Sequence, residues 1–382
     1  MSKLLTLATL AALVPVCASA ATVTLYGKVN TALYYEDYAG MNPKLSMVNE
    51  GSRFGFNVVE DLTADLAVRA YLENGFNSDN GALTNSGGGN TGATLFDRRA
   101  ILALQSKTWG EVGFGRMGSV RSTMAPYALS LAWLDPMETN YGDAGMSAMF
   151  ANDPRGNNTI SYVSPNLNGF KFGATYSFAF TDQEADSTKK NNRLLALAGS
   201  YQAGPVGFYL GGTQIWYGKN DAAGLADKSM GIDRKDASAY NAGVTWAATD
   251  DLKLFLAGQY QKDWRSVAGW NVDKSSTYAT SSYSVADRYH GIDGWVGLVG
   301  FQYKFSKDLR LIGKYVYFDG EHKMADGMKV DGQRHSVNAA LEKKLSKRTK
   351  VYWVMSYFKG KGEMDVDTLT GVTGHLGLEH NF

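Results

Sequence analysis

The fold is decided by stretches such as Phe170-Lys171-Phe172-Gly173-Ala174-Thr175-Tyr176-Ser177-Phe178, in which large apolar residues alternate with small or polar ones. Because successive side chains of a β-strand point to opposite faces, this alternation predicts a strand with one apolar and one polar face. A tilted strand crosses a bilayer with about 9–11 residues. Segments of this kind recur from Thr22 to Phe382. The sequence therefore predicts an all-β fold, an antiparallel transmembrane β-barrel.

Sixteen strands are predicted, and the connections between them are alternately short and long. Short periplasmic turns and long external loops are typical of outer-membrane barrels. A soluble β-sandwich would also alternate, but a closed barrel leaves no exposed strand edges and suits a chain of this length better. The predicted strands are Thr22–Tyr35, Ser52–Glu60, Asp65–Asn77, Phe96–Gln105, Glu111–Gly118, Asn157–Val163, Gly169–Phe180, Asn192–Gln202, Val206–Trp216, Ala237–Ala247, Leu252–Lys262, Trp295–Phe305, Leu309–Phe318, Arg334–Lys343, Lys350–Phe358 and Val372–Phe382.

The N-terminal segment has the features of a signal peptide. Lys3 supplies a positive charge, Leu4–Val14 is apolar, and Ala18-Ser19-Ala20 is a small-residue cleavage site. The apolar run is too short for a membrane anchor. We therefore expect residues 1–20 to be removed on export and residues 21–382 to form one barrel domain in the outer membrane.

The composition excludes several classes of function. The chain has 38 Lys and Arg against 37 Asp and Glu, so there is no overall basic bias for nucleic acid. The only cysteine, Cys17, lies in the predicted signal peptide, so no disulfide or thiolate metal site is expected after cleavage. The 43 glycines and 22 tyrosines, with only 7 prolines, suit many paired strands with aromatic girdles.

No motif predicts a catalytic group, a cofactor or a metal site. Gly87–Gly92 and Gly113–Gly118 match G-x-G-x-x-G, but neither lies between a strand and a helix, as dinucleotide binding requires. The five histidines show no H-E-x-x-H spacing, and there is no G-x-S-x-G elbow. An outer-membrane enzyme and an adhesin with a plugged barrel remain as alternatives to a channel.

Several segments resemble those of the Gram-negative general porins. Ser52-Arg53-Phe54-Gly55-Phe56 is similar to their second strand, and Arg98–Leu104 with Gly110–Arg116 is similar to the following hairpin. Asn158–Pro165 and Gly377–Phe382 resemble the turn after the sixth strand and the closing strand. The resemblance implies a sixteen-stranded barrel, a homotrimer, and a water-filled pore for the passive diffusion of small hydrophilic solutes and ions.

The longest connection, Ser119–Gly156, resembles the third porin loop, which folds into the barrel and narrows it. Its apolar residues favour packing against a wall over exposure to water, so we expect it to fold inward. Its carboxylates Asp135, Glu138 and Asp143 would line one side of the constriction.

Basic side chains are predicted on the opposite wall. Strand parity places Lys28, Arg53, Arg69 and Arg98 on the lumen face, and the resemblance adds Arg155. Opposed rows of charge would set a transverse field across the pore, where charge and diameter decide selectivity. These residues could instead be ordinary lumen charges or form salt bridges to the loop. Basic wall and acidic loop oppose each other, so anion or cation preference stays open.

Two further roles follow from parity and from the resemblance. Arg116 falls on the lipid face, where a mid-depth arginine costs about 2–4 kcal/mol, so we expect it near the rim or at a subunit interface. The external loop Ser78–Leu95 would then reach a neighbouring subunit. Phe382, the final aromatic, resembles the signal read by the outer-membrane assembly machinery. Expected surroundings are outer-membrane lipids and lipopolysaccharide.

A substrate-specific channel, for example for sugars, is the alternative within the channel class. Such channels often line the lumen with aromatic rings, and Tyr26, Tyr34 and Tyr71 face inward by parity. Three tyrosines do not decide between the two.

Overall fold

The computed structural model describes residues 21–84, 94–127, 129–138, 141–181, 184–218, 234–272 and 289–382. The predicted signal peptide, residues 1–20, lies outside these ranges, as does the middle of the second external loop, residues 85–93. Among the helices of the described ranges, none is both long enough and apolar enough to span a membrane.

The described chain consists almost entirely of β-strands, with a few single-turn 3₁₀ helices. The strands are β1 Thr22–Tyr38, β2 Lys44–Asn49, β3 Arg53–Asp61, β4 Leu66–Gly75, β5 Arg99–Ser106, β6 Gly110–Gly118, β7 Arg155–Val163, β8 Phe170–Ser177, β9 Arg193–Ala203, β10 Val206–Trp216, β11 Ala237–Ala247, β12 Leu252–Trp264, β13 Ser266–Val267, β14 Trp270–Asn271, β15 Ile292–Lys304, β16 Leu309–Lys323, β17 Lys329–Lys344, β18 Thr349–Gly362 and β19 Gly371–Asn381.

The sheet closes on itself as a sixteen-stranded antiparallel barrel, as predicted. Neighbouring strands pair in chain order, and β1 pairs with β19 from Lys28↔Asn381 to Tyr38↔Gly371. β2 and β3 together occupy one wall position, because both pair with β1 on the same side. β13 and β14 form a small separate hairpin. The 3₁₀ helices Leu131–Leu134, Gly142–Ala144 and Met146–Ala148 all lie in the third loop.

Several strands extend beyond the predicted bounds. β16 runs to Lys323 instead of Phe318, and β2 pairs where a loop was expected. The hairpin β13–β14 was not predicted at all. In the extensions of β16 and β17, charged residues such as Glu321, Lys329 and Asp331 break the apolar alternation, yet the backbone ladder continues to Lys323↔Lys329. The alternation therefore marks the membrane-crossing part of a strand, whereas its end depends on backbone pairing.

The two faces of the wall have opposite character. Leu210, Leu256 and Trp295 point outward and are 66%, 57% and 65% exposed, as expected for side chains that contact lipid. The alternate residues Gln259 and Gln261 of β12 are buried inside the barrel. The apolar and polar faces predicted from the alternation are therefore present in these strands.

The last residue completes the closure. The backbone N–H of Gly27 donates to the carbonyl of Phe382, and the N–H of Phe382 donates to the carbonyl of Gly27, both at 3.0 Å. A side chain at position 27 would collide with the Phe382 ring, since a Cβ there would lie 2.5 Å from its Cζ. The role of Phe382 as an assembly signal stays a prediction.

The lipid-facing placement of the outward residues is testable by charge insertion. Leu197 lies midway along β9 and points outward. We expect Leu197→Arg to lower the free energy of unfolding by about 2–4 kcal/mol, because the guanidinium would face hydrocarbon. Val23→Arg, at the periplasmic end of β1, should cost only about 0–1 kcal/mol because it reaches the interface. Urea titration in detergent measures both, and equal costs would contradict the assigned depths.

Candidate functional site

The described part of the third loop, residues 119–127, 129–138 and 141–154, folds into the lumen and packs on the inner wall. Glycines on the wall strands leave room for it. A Cβ at Gly207 on β10 would collide with the Trp133 ring, and one at Gly243 on β11 would lie 2.5 Å from Leu134. The loop therefore narrows the barrel, as its apolar content predicted.

The base of the loop is held by Arg121, which is fully buried. Its guanidinium forms an ion pair with Asp153 and donates to the carbonyl of Ala151 at 2.7 Å. It also donates to Gln259 on β12 at 2.9 Å and to Asn241 on β11 at 2.8 Å. Sequence reasoning missed this residue, because nothing near Arg121 in the chain indicates the two distant strands that supply its partners.

Asp135 pins the middle of the loop to the wall and does not face the open lumen. Its carboxylate lies 2.9 Å from the Lys314 ammonium on β16, and both side chains are almost completely buried. The carboxylate also accepts the backbone N–H groups of Met137, at 3.1 Å, and Met146, at 2.7 Å. Because these partners lie inside the loop and on the wall, Asp135 acts as an anchor. This corrects the expectation that it lines the constriction.

Glu138 is the loop carboxylate that remains exposed. Its side chain is 53% exposed and accepts from Arg310 on β16 at 2.8 Å. Arg310 also pairs with Glu342 on β17. The charge of Glu138 is therefore balanced by a wall arginine, which places this predicted site residue at the lumen surface within a local ion-pair network.

Tyr141 ties the next part of the loop to the same network. Its hydroxyl donates to Glu342 and accepts from the Lys350 ammonium at 2.9 Å. Burial and the neighbouring Glu342 carboxylate raise the pKa of the Tyr141 hydroxyl, so it stays protonated and acts as a donor.

The loop tip lies against β1 and β19. Asp143 is half-buried and accepts from the Tyr34 hydroxyl at 3.3 Å. The Tyr34 ring meets that of His375 edge-on, with the centroids 4.7 Å apart, and His375 Nδ1 lies 3.1 Å from a carboxylate oxygen of Glu50. The hydroxyl is an uncharged partner, and among the described residues no cation forms an ion pair with Asp143.

A group of arginines shares one buried carboxylate on the other side of the lumen. Glu73 on β4 is 1% exposed and accepts from Arg98 Nε at 2.7 Å. Arg99 and Arg53 lie 3.6 and 3.9 Å from its other oxygen. Arg155, which is buried, lies within electrostatic range of Arg98 and Arg99. We call Arg53, Arg98, Arg99 and Arg155 the arginine cluster.

Arg98 belongs to this cluster, but strand parity, on which the prediction rested, is not the reason. Phe96 has a φ of 61°, so the extended strand begins only at Arg99. Arg99 is registered opposite Glu73 and is the true lumen-facing residue of β5. Arg98 precedes the strand and is positioned by its backbone N–H, which donates to the carbonyl of Glu73 at 3.2 Å. Arg99 shares the lumen face with Ile101 and Ala103, and it was missed because the prediction assigned that face to Arg98.

The two other predicted basic residues, Lys28 and Arg69, lie outside the arginine cluster. Lys28 is next to it, and Arg69 is nearer the periplasm. Lys28 is paired in register with Arg53, but its ammonium is buried 3.2 Å from Glu379. Arg69 lies 3.6 Å from Glu111, next to the periplasmic turn before β6. The structure therefore brings Arg53, Arg98 and Arg155 together, places Lys28 next to them, and places Arg69 nearer the periplasm.

Arg116 is anchored within its own chain. Its Nε donates to the carbonyl of Asp97 at 2.6 Å and its Nη1 donates to Asn157 at 2.6 Å. A β-bulge between Gly115 and Met117 shifts the register at this point. A role at a subunit interface stays a prediction.

The three inward tyrosines do not form one continuous track. Tyr26 and Tyr71 are neighbours, with centroids 5.5 Å apart, whereas Tyr34 lies at the loop tip. Arg69 and Arg99 lie over the Tyr71 ring at 4.5 and 4.8 Å, so guanidinium groups already cover it. Within the described ranges, no group of three or more His, Cys, Asp or Glu side chains is arranged to hold a metal ion.

Comparisons with known proteins agree with this architecture. Residues 6–363 match a family model described as Gram-negative porin. An outer membrane porin protein of Bordetella pertussis is 29% identical over 401 aligned positions, covering 94% of each chain. The solved anion-selective porin from Comamonas acidovorans has a TM-score of 0.66 at 22% identity, over 95% of this chain and 100% of that one. The trimer form of Vibrio cholerae OmpT has a TM-score of 0.59 at 15% identity, over 95% and 100%.

The anchoring role of Asp135 can be measured directly. We expect Lys314→Met to lower the free energy of unfolding by about 3–5 kcal/mol, because it leaves a buried carboxylate without its cation. The double variant Asp135→Asn/Lys314→Met should recover part of this loss, since the amide is neutral, although its single oxygen can accept only one of the two loop N–H groups. Urea titration in detergent gives both values. A cost below about 1 kcal/mol for Lys314→Met would show that the pair is not buried.

Proposed function

Since the chain belongs to the Gram-negative porin family and is an outer-membrane channel, not an enzyme, we propose that it is a general diffusion pore that prefers anions. Small hydrophilic solutes and ions would pass between the third loop and the arginine cluster. The observation that carries the proposal is the sharing of the single Glu73 carboxylate by three arginines, Arg53, Arg98 and Arg99.

Charge balance at the constriction supports a preference for anions. Arg53, Arg98 and Arg99 place three positive charges against the one negative charge of Glu73. On the loop side, Asp135 is neutralised by Lys314 and Glu138 is balanced by Arg310. Asp143 has only a hydroxyl partner and leaves one negative charge on the loop side. The net excess of two positive charges around Glu73 still outweighs it, and excess charge at a constriction favours the ion of opposite sign. The Comamonas acidovorans neighbour is itself described as anion-selective.

The arrangement supports a general pore more than a sugar-specific one. Tyr71 is covered by two guanidinium groups, and Tyr34 is engaged with Asp143. Stacking of a sugar ring requires exposed aromatic faces in succession, which these residues do not supply. Charge and diameter are then the remaining determinants of passage.

We further propose a homotrimer, on the basis of the family and of the trimer form of its structural neighbour OmpT. Arg116 on the early strands would lie near the contact. Lipopolysaccharide and outer-membrane lipids would surround the trimer, and the assembly machinery would read Phe382.

The preference for anions is tested by removing two arginines. We expect Arg53→Ala/Arg98→Ala to lower the anion-to-cation permeability ratio by at least about fivefold, because the loss of even one charge removes about 1 kcal/mol at contact distance in water. Reversal potentials in a salt gradient across a planar bilayer measure the ratio. Lys107→Ala, in an exposed periplasmic turn, is the control and should leave the ratio unchanged. An unchanged ratio in the double variant would remove these arginines from the selectivity mechanism.

General diffusion is tested by varying the solute. We expect liposome swelling rates to fall steadily with the size of neutral sugars and amino acids, because diameter alone limits them. Ion conductance should not be inhibited by any one sugar. Saturable block by a single sugar at low concentration would instead favour a substrate-specific channel.

A further inference from the structure

We propose that two neighbouring periplasmic turns bind the phosphate groups of anionic phospholipids in the inner leaflet of the outer membrane. These turns join β15 to β16 and β17 to β18. They and their flanks carry six exposed cationic side chains, with Asp308 as the only side-chain carboxylate in the two turns. We call these cations the basic rim; they are Lys304, Lys307, Lys343, Lys344, Lys347 and Arg348. The inference goes beyond the channel function and does not depend on ion preference.

The basic rim is one surface and is electrostatically unbalanced. The backbone N–H of Lys344 donates to the carbonyl of Asp308 at 2.7 Å, so the two turns lie side by side. Within the described residues, none of the six side chains forms an ion pair, and Lys304 Nζ donates only to the backbone carbonyl of Asp250, at 3.0 Å. Like charges held together repel one another, and an anionic partner would relieve that repulsion.

The turn geometry does not require these cations. Five periplasmic turns share one scaffold, in which a Ser or Thr hydroxyl accepts the N–H of the residue three positions later. The five hydroxyls are those of Thr63, Ser106, Thr249, Ser306 and Ser346. The two residues after the hydroxyl differ in charge; they are Ala64-Asp65, Lys107-Thr108, Asp250-Asp251, Lys307-Asp308 and Lys347-Arg348. An acidic pair and a basic pair therefore occupy equivalent positions, and folding alone does not explain the basic one.

Apolar side chains within the same turns place the basic rim at the membrane surface. Phe305 and Leu345 are 58% and 60% exposed, and the Tyr303 ring packs edge-on against Phe305 at 5.1 Å. A turn that projected into the periplasm toward the cell-wall polymer would expose these apolar groups to water. Aromatic residues and flexible lysines together are typical of the boundary between hydrocarbon and headgroups. The cations are therefore at the level of lipid phosphates.

The test compares two turns of the same geometry in the full-length protein. Each cation near an anionic bilayer contributes about 1 kcal/mol, which is about fivefold in affinity. We expect Lys347→Asp/Arg348→Asp to lower the ratio of phosphatidylglycerol to phosphatidylcholine retained by the protein at least fivefold. Native mass spectrometry after extraction from equimolar vesicles measures this ratio. Asp250→Asn/Asp251→Asn is the matched control and should not lower it, and unchanged single-channel conductance shows that each variant is folded.

A second pair of substitutions, Lys307→Gln/Lys347→Gln, removes charge with little change in shape and should shift the ratio in the same direction. An unchanged phosphatidylglycerol preference in both variants overturns the proposal. If the preference is unchanged but binding to isolated peptidoglycan falls, the partner is the cell-wall polymer and the lipid proposal is wrong. If only the anion permeability falls, the basic rim serves the pore mouth, which likewise overturns it.

Discussion

The closed ring of backbone hydrogen bonds is the constraint on which the rest of this structure depends. In hydrocarbon, an unpaired N–H or carbonyl has no water to bond and costs several kcal/mol. A sheet in a bilayer must therefore have no edge, and the pairing of β1 with β19 removes the last one. The reciprocal bonds between Gly27 and Phe382 extend this pairing to the final residue. Once the ring is closed, alternate side chains must face either lipid or the lumen, which accounts for the parity of every membrane-crossing segment.

The closed ring also sets how the lumen can be narrowed. A loop that enters the barrel brings polar groups into a confined space, and buried charges are stable only when paired. Arg121 with Asp153 and Lys314 with Asp135 meet this requirement at two points of the third loop. Loop carboxylates used as anchors cannot also repel passing anions. Pinning the loop therefore engages Asp135 and Asp153 in ion pairs, and this is one ground for the proposed preference for anions.

The sequence predicts correctly which way a side chain faces where this depends only on its position in a strand. It does not predict contacts between residues that lie far apart in the chain. Leu256 is outward because the period of a strand is two, and this needs no knowledge of its neighbours. Asp135 meets Lys314, which lies 179 positions later, and parity cannot show that the two side chains touch. Arg99 was missed because the lumen face of β5 was assigned to Arg98, although Ile101 and Ala103 share the face of Arg99. The fold was thus predictable, whereas the division of charged residues between anchors and pore surface was not.

The lumen contains a second row of charged side chains, in which cations and carboxylates form ion pairs between neighbouring strands. On β16 to β19 and β1, the charges alternate in sign across neighbouring strands. Lys350 lies 2.9 Å from Glu342 and 3.8 Å from Glu379, and Lys28 lies 3.2 Å from Glu379. Each carboxylate here serves two cations and each inner cation meets a carboxylate, so the row is nearly neutral. Glu73 instead serves three arginines, so cations exceed carboxylates there by two. The proposed selectivity surface is therefore the part of these two charged groups where ion pairing is least balanced.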